Sequence, residues 1–90
     1  MENRYPVRNP DVVAREEECE ALLFNPADGN MMCINVTGIF IWDLLDGSVS
    51  IDEITGRIVE DFDTPPGAAR ADCRSFLKDL EEAGFIGYKI

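Results

Sequence analysis

The sequence predicts an α+β domain of the winged helix-turn-helix kind, in which a three-stranded antiparallel sheet precedes three helices. Two apolar runs, CEALLFN and MMCINV, flank the turn cluster PADG, the pattern of a hairpin. The segment INVTGIFIWDLLDG then places eight apolar side chains in fourteen positions, so a short helix there, apolar on almost every side, cannot face water. Finally, two segments with apolar residues at helical spacing close the chain, each bounded by capping or stop residues.

Residues 1–10 are polar and contain two prolines; they are read as a flexible lead-in to a single domain over 11–90. DVVARE, residues 11–16, is the first expected strand. The second and third, 19–25 and 31–36, meet at Asp28-Gly29, because glycine accepts the positive φ that tight hairpin turns require. With those two residues central, Leu23 lies opposite Ile34 and Phe24 opposite Cys33, while Cys19 falls beyond the third strand and cannot bridge to Cys33. Met32, Ile34 and Val36 share the inward face by the two-residue period; Met31 and Cys33 point outward, with Leu22 and Phe24.

Thr37 is the expected N-cap of the first helix and Gly47 its stop, giving a helix over 38–46 wedged between other elements, with Trp42 in a structural role. Ser50 and Glu53 form a capping box for the second helix, whose Ile51, Ile54, Ile58, Val59 and Phe62 make one stripe. DTPPG ends it. The third helix carries Cys73, Phe76, Leu77, Leu80 and Ala83 inward and stops at Gly84, and FIGYKI returns to the core as an extended tail.

Eighteen acidic against eight basic residues leave a formal charge of −10. Such a field repels phosphate backbones and anionic lipid and favours a basic partner; neither nucleic acid nor membrane is an expected ligand. No segment has the apolar length of a membrane helix or a signal peptide, and a cytoplasmic protein is expected. The three cysteines lack C-x-x-C spacing and there is no histidine, so common zinc sets and Ser-His or Cys-His pairs cannot be assembled. Neither catalysis nor a cofactor or metal is expected.

INVTGIFIWDLLDG followed by VSIDEITGRIVEDF resembles the signature of the PqqD-like family. The elements that match are Ile34-Asn35, Thr37, Ile41-Trp42, Asp46-Gly47 and Ser50, with Asp72, Phe76-Leu77, Leu80 and Gly84-Phe85-Ile86 in the last helix and its exit. The resemblance covers roughly residues 8–87. It implies a winged-helix peptide chaperone that recognises the leader of a ribosomally made, post-translationally modified precursor and presents it to a modifying enzyme. Named members serve pyrroloquinoline quinone synthesis beside a radical S-adenosylmethionine enzyme, which makes such a maturase the expected partner. Gly38, Trp42 and Leu45-Asp46-Gly47 differ from the quinone-pathway pattern and point to another peptide pathway.

By resemblance, the leader lies along the third strand in a groove walled by the third helix, with no catalytic residue. An open sheet edge allows this, since an extended peptide can pair with its free N–H and C=O groups. Met31, Cys33, Ile34 and Asn35 of the strand and Cys73 and Leu77 of the helix are the candidate contacts. Arg70, Arg74 and Lys78, at i, i+4 and i+8, add a basic stripe that could meet acidic leader side chains or the maturase; the plain alternative is a solvated helix face. Met32 and Ile34 are read as core. Three other functions fit less well: a DNA-binding winged helix, opposed by the charge; a carrier protein using Ser48, which reads better as a turn residue; and a non-catalytic bracing subunit or homodimer built on the outer sheet face.

Overall fold

A computed structural model describes residues 4–18 and 20–89. Along the chain run β1 (Tyr5–Arg8), β2 (Val13–Glu16), β3 (Glu20–Asn25), β4 (Asn30–Asn35), α1 (Val36–Asp43), α2 (Ile51–Phe62), α3 (Pro66–Glu82) and β5 (Ile86–Lys89). The antiparallel sheet β2-β3-β4 and the three helices are as the sequence predicts; a separate two-stranded sheet, β1-β5, is added. Cys19 lies outside the described residues, and Cys33 and Cys73 are free thiols.

The lead-in reading is corrected at Tyr5–Arg8, which pairs with β5 from Tyr5↔Lys89 to Arg8↔Ile86. The Arg8 N–H donates to the Leu45 carbonyl at 2.8 Å and the Gly47 N–H to the Pro6 carbonyl at 3.1 Å. Arg8 also sets its guanidinium 5.9 Å from the Trp42 ring centroid and donates to the Trp42 carbonyl at 2.8 Å. Helix α1 has no basic residue in its last turn, so this cation from another element meets the negative end of the helix dipole. Two prolines and a partner strand at the far end of the chain hid β1 from local pattern reading.

In the β3–β4 hairpin the pairs are Ala21↔Ile34, Leu22↔Cys33, Leu23↔Met32 and Phe24↔Met31, two residues from the expected register. The loop is longer than a two-residue turn because Asn25 Oδ1 accepts the Ala27 N–H at 3.0 Å and the Gly29 N–H bonds the Asn25 carbonyl at 2.8 Å. A shift of two keeps every side chain on its face. Ala21, Leu23 and Ile34 are accordingly buried, and Met31 and Cys33 exposed.

Helix α1 starts at Val36, not 38, because its N-cap is Asn35 instead of Thr37: Asn35 Oδ1 accepts the Gly38 N–H at 2.9 Å. Val36 consequently leaves the strand and is 48% exposed. The helix ends at Asp43, with Leu44 as C-cap. Gly38, Ile41 and Trp42 are buried on it, and Phe40 meets Phe62 of α2 edge-on, with ring centroids 5.2 Å apart, the geometry the aromatic quadrupoles favour. The following turn is held by Asp46, whose carboxylate accepts the Ser48 N–H at 2.9 Å and its hydroxyl at 2.6 Å. These two bonds hold the Asp46 carboxyl below its ordinary 3.8.

Helix α2 begins as expected, with Ser50 Oγ accepting the Glu53 N–H at 3.2 Å. Its Ile51, Ile54, Thr55 and Ile58 face inward, and the buried Thr55 hydroxyl donates to the Ile51 carbonyl at 2.9 Å. Helix α3 starts on Pro66, whose missing N–H costs nothing at the first turn. It buries Ala69, Cys73, Leu77 and Leu80. At its end Gly84 takes φ 81°, the Phe85 N–H reaches back to the Leu80 carbonyl at 2.9 Å and the Gly84 N–H to Glu81 at 3.1 Å. That pair of bonds is a Schellman stop; it turns Phe85, fully buried, into the core.

A Cβ added at Gly38 would lie 2.9 Å from Ile34 Cβ and 3.3 Å from Phe76 Cζ, whereas one at Gly56 meets nothing within 4 Å. Gly38→Ala is expected to lower the urea midpoint by an overpacking cost of about 1–3 kcal/mol, less the helix gain. Gly56→Ala should raise stability by about 0.5–1 kcal/mol. Because the Asp46 pKa is lowered in the fold, its contribution is complete above 3.8 and vanishes as pH falls through the folded value. Asp46→Ala should therefore melt lower than the parent at pH 7, with the gap closing as pH falls below 3.8 in paired thermal scans.

Candidate functional site

Strand β4 is an outer strand of β2-β3-β4, so the N–H and C=O groups on its far side have no strand partner among the described residues. Beside that edge stand two cavities of about 260 and 400 Å³. The first is bounded by Asn35, Thr37, Gly38, Ile41, Asp72 and Phe76, the second by Met32, Cys33, Ile34, Asn35, Phe76 and Asp79. Shared walls at Asn35 and Phe76 join them into one groove between β4, the start of α1 and one flank of α3.

Its shape follows from two local features. The Asn35 side chain is committed to the α1 cap, and the lack of a Cβ on Gly38 lets α1 sit against both Ile34 of β4 and Phe76 of α3. At the other end three asparagine amides grip the exit of α3. Asn30 Nδ2 donates to the Ala83 carbonyl at 3.0 Å; Asn25 and Asn9 Nδ2 donate to the Gly84 carbonyl at 3.3 and 3.1 Å. Carbonyls at a helix end have no intrahelical donor, and here those donors come from the hairpin loop and the β1–β2 connection.

The expected contacts divide into three sets. Met31, 60% exposed, and Cys33 stand on the outer face of β4, and Asn35 at its end. Ile34, Cys73 and Leu77 are buried in the core; Ile34 still borders the second cavity of the groove, whereas Leu77 borders a cavity on the other flank of α3 and Cys73 lines neither. Burial pushes the Cys73 thiol above its ordinary 9.0, against smaller opposing effects of a Thr55 hydrogen bond and of Arg70 and Arg74.

Arg70, Arg74 and Lys78 stand on the opposite flank of α3 from the groove. Arg70 pairs with Asp52 of α2 at 3.0 Å, while Arg74 and Lys78 line a cavity of about 300 Å³ with Arg4, Glu81 and Tyr88. The groove wall is made instead by Asp72, Phe76 and Asp79. At about 100° per residue, these three fall on one margin of the buried stripe and the cations on the other. The sequence carries that signal, and Phe76, inward by spacing alone, is only partly buried.

Among the described residues no helix is long and apolar enough to cross a membrane, and no group of three or more His, Cys, Asp or Glu residues is placed to hold a metal ion. No curated protein matches the chain. Two solved structures share its fold. TbiB1 in complex with the TbiA(beta) leader peptide superposes with TM-score 0.81 at 24% identity, covering 93% of this chain and 99% of its own. Lasso peptide synthetase B1 complexed with the leader peptide gives 0.80 at 16%, covering 92% and 98%. Residues 20–86 match the family Coenzyme PQQ synthesis protein D (PqqD); from the hairpin through α3 to the start of β5, the chain belongs to the PqqD family.

Proposed function

We propose that this protein is a non-catalytic recognition element for the leader of a ribosomally made precursor peptide. The leader adds as a strand to the free edge of β4, sets alternate side chains into the groove against Phe76, and is presented to a modifying enzyme of the radical S-adenosylmethionine type or another maturase. The observation that carries this reading is an unpaired strand edge running beside an apolar-centred groove. Backbone pairing supplies sequence-independent affinity and the groove supplies selection. Both structural neighbours are proteins solved with leader peptides, and the family match supports the same use.

Met31, Met32, Cys33, Asn35, Thr37, Asp72, Phe76 and Asp79 are the residues assigned to the leader. Arg70, Arg74 and Lys78 are left for other contacts, since they lie across α3 from the groove. The same placement disfavours a DNA-binding winged helix: Arg70 already pairs with Asp52, Glu81 shares the cavity of Arg74 and Lys78, and the chain carries −10.

The test uses a precursor leader peptide selected for binding to this chain. Phe76→Glu, which adds a carboxylate at a partly exposed position, should weaken its binding by tenfold or more, about 1.4 kcal/mol, whereas Lys78→Glu on the far flank should stay within about twofold. Alkylation followed by mass mapping gives an independent reading. Cys33 is exposed and should react quickly in the free chain and slowly with precursor present, while buried Cys73 stays unreactive throughout. Equal affinity for Phe76→Glu together with an unprotected Cys33 would remove β4 from the binding site.

A further inference from the structure

Resting on the leader-binding reading, we infer that this groove selects a leader segment in which an apolar side chain is flanked, two residues to either side, by lysine or arginine. The argument starts from what stands at the centre and ends of the groove wall. Phe76 belongs to both cavities, Asp72 only to the first and Asp79 only to the second, and no basic residue lines either. One apolar surface is thereby bracketed by two exposed carboxylates, three and four residues away along the helix.

The spacing converts into a peptide pattern. Helical rise places Asp72 about 6 Å and Asp79 about 4.5 Å from Phe76 along the α3 axis. A strand laid on β4 turns every second side chain toward the groove, about 6.6–6.8 Å apart. If one groove-facing residue covers Phe76, its neighbours at positions −2 and +2 come level with the two aspartates. Lysine and arginine fit there in a specific way, because their methylene stems can cover the apolar centre while the charged heads reach the carboxylates.

Electrostatics favour the same choice. The aspartates stand beside a sheet edge whose far side is open, in a chain of net −10, so an acidic leader residue at either position would meet like charge locally and from the whole domain. Neither carboxylate has an ion pair among those found in the described residues, which join Arg15 to Glu17 and Arg70 to Asp52. Negative charge thus rejects the wrong leader as much as it attracts the right one.

The experiment is an in vitro display selection of random fifteen-residue peptides on the 90-residue chain, run in parallel on the Asp72→Lys/Asp79→Lys double variant. Each change adds two charges, so the variant is still net −6 against the parent −10, and a general pull on cations persists in both. Wild-type winners should carry Lys or Arg two residues either side of an aromatic or aliphatic residue, shift the β4 amide resonances, and bind the double variant about tenfold more weakly at low salt. The double variant should lose that flanking preference and accept Asp or Glu there.

Winners that shift β4 without regard to charge at those positions would overturn this inference and leave the leader-binding reading standing. Winners that leave β4 unmoved would overturn both. Should the double variant fail to fold, the positional enrichment on wild type and the affinities of Asp72→Asn and Asp79→Asn decide the matter by the same criteria.

Discussion

The structure depends first on how the exit of α3 is tied to the β3–β4 hairpin. That tie anchors the helix that walls the groove beside the free edge of β4. Asn25 and Asn30 at the two ends of the hairpin loop, with Asn9 from the β1–β2 connection, donate to the Ala83 and Gly84 carbonyls. The Schellman bonds then send Phe85 directly into the core. Helix α3 is therefore fixed at its C-terminal end by hydrogen bonds and along its length by Ala69, Cys73, Leu77 and Leu80, and the space beside β4 is left as a groove. At the other end Gly38 has the same role: it allows α1 to touch Ile34 and Phe76 while Asn35 is held in its cap.

From this arrangement α3 acquires three faces with separate tasks. Its buried stripe holds the domain together. One flank, with Phe76 between Asp72 and Asp79, forms the wall opposite the free strand edge. The other, with Arg70, Arg74 and Lys78, turns toward α2, Arg4 and Tyr88 and takes part in intramolecular pairing such as Arg70 with Asp52. Under the proposed strand addition, the side chains on the groove flank decide which peptide is accepted.

Much of the fold was legible because local rules and tertiary packing agree. The Ser50 cap, the apolar stripes of α2 and α3 and the Gly84 stop all follow from period and capping chemistry. The hairpin faces also came through, since an error of two residues in register leaves the parity of each side chain unchanged. What escaped depended on distant partners or on competing side chains of similar chemistry. β1 is a strand only because β5 returns to it, and Asn35 displaced Thr37 as cap because asparagine and threonine, two residues apart, are both favoured N-cap residues. The candidate site was partly legible: the sequence points to the β4 edge and α3, and the structure sets the groove against the flank of α3 that bears Asp72, Phe76 and Asp79, away from the cations. Placing Phe76 in the core hid the Asp72-Phe76-Asp79 margin, and the regular spacing of three cations drew attention to the opposite one.

Backbone hydrogen exchange along β4 tests the central claim most directly, because it observes the proposed pairing and no side chain. In the free chain, the β4 amides that point away from β3 should exchange quickly, alternating with slow neighbours bonded across the hairpin. Adding the precursor should slow those fast amides and leave the slow ones nearly unchanged. Binding that protects only the outer sheet face or the Arg74–Lys78 flank, with the alternating fast amides of β4 unaltered, would contradict the account.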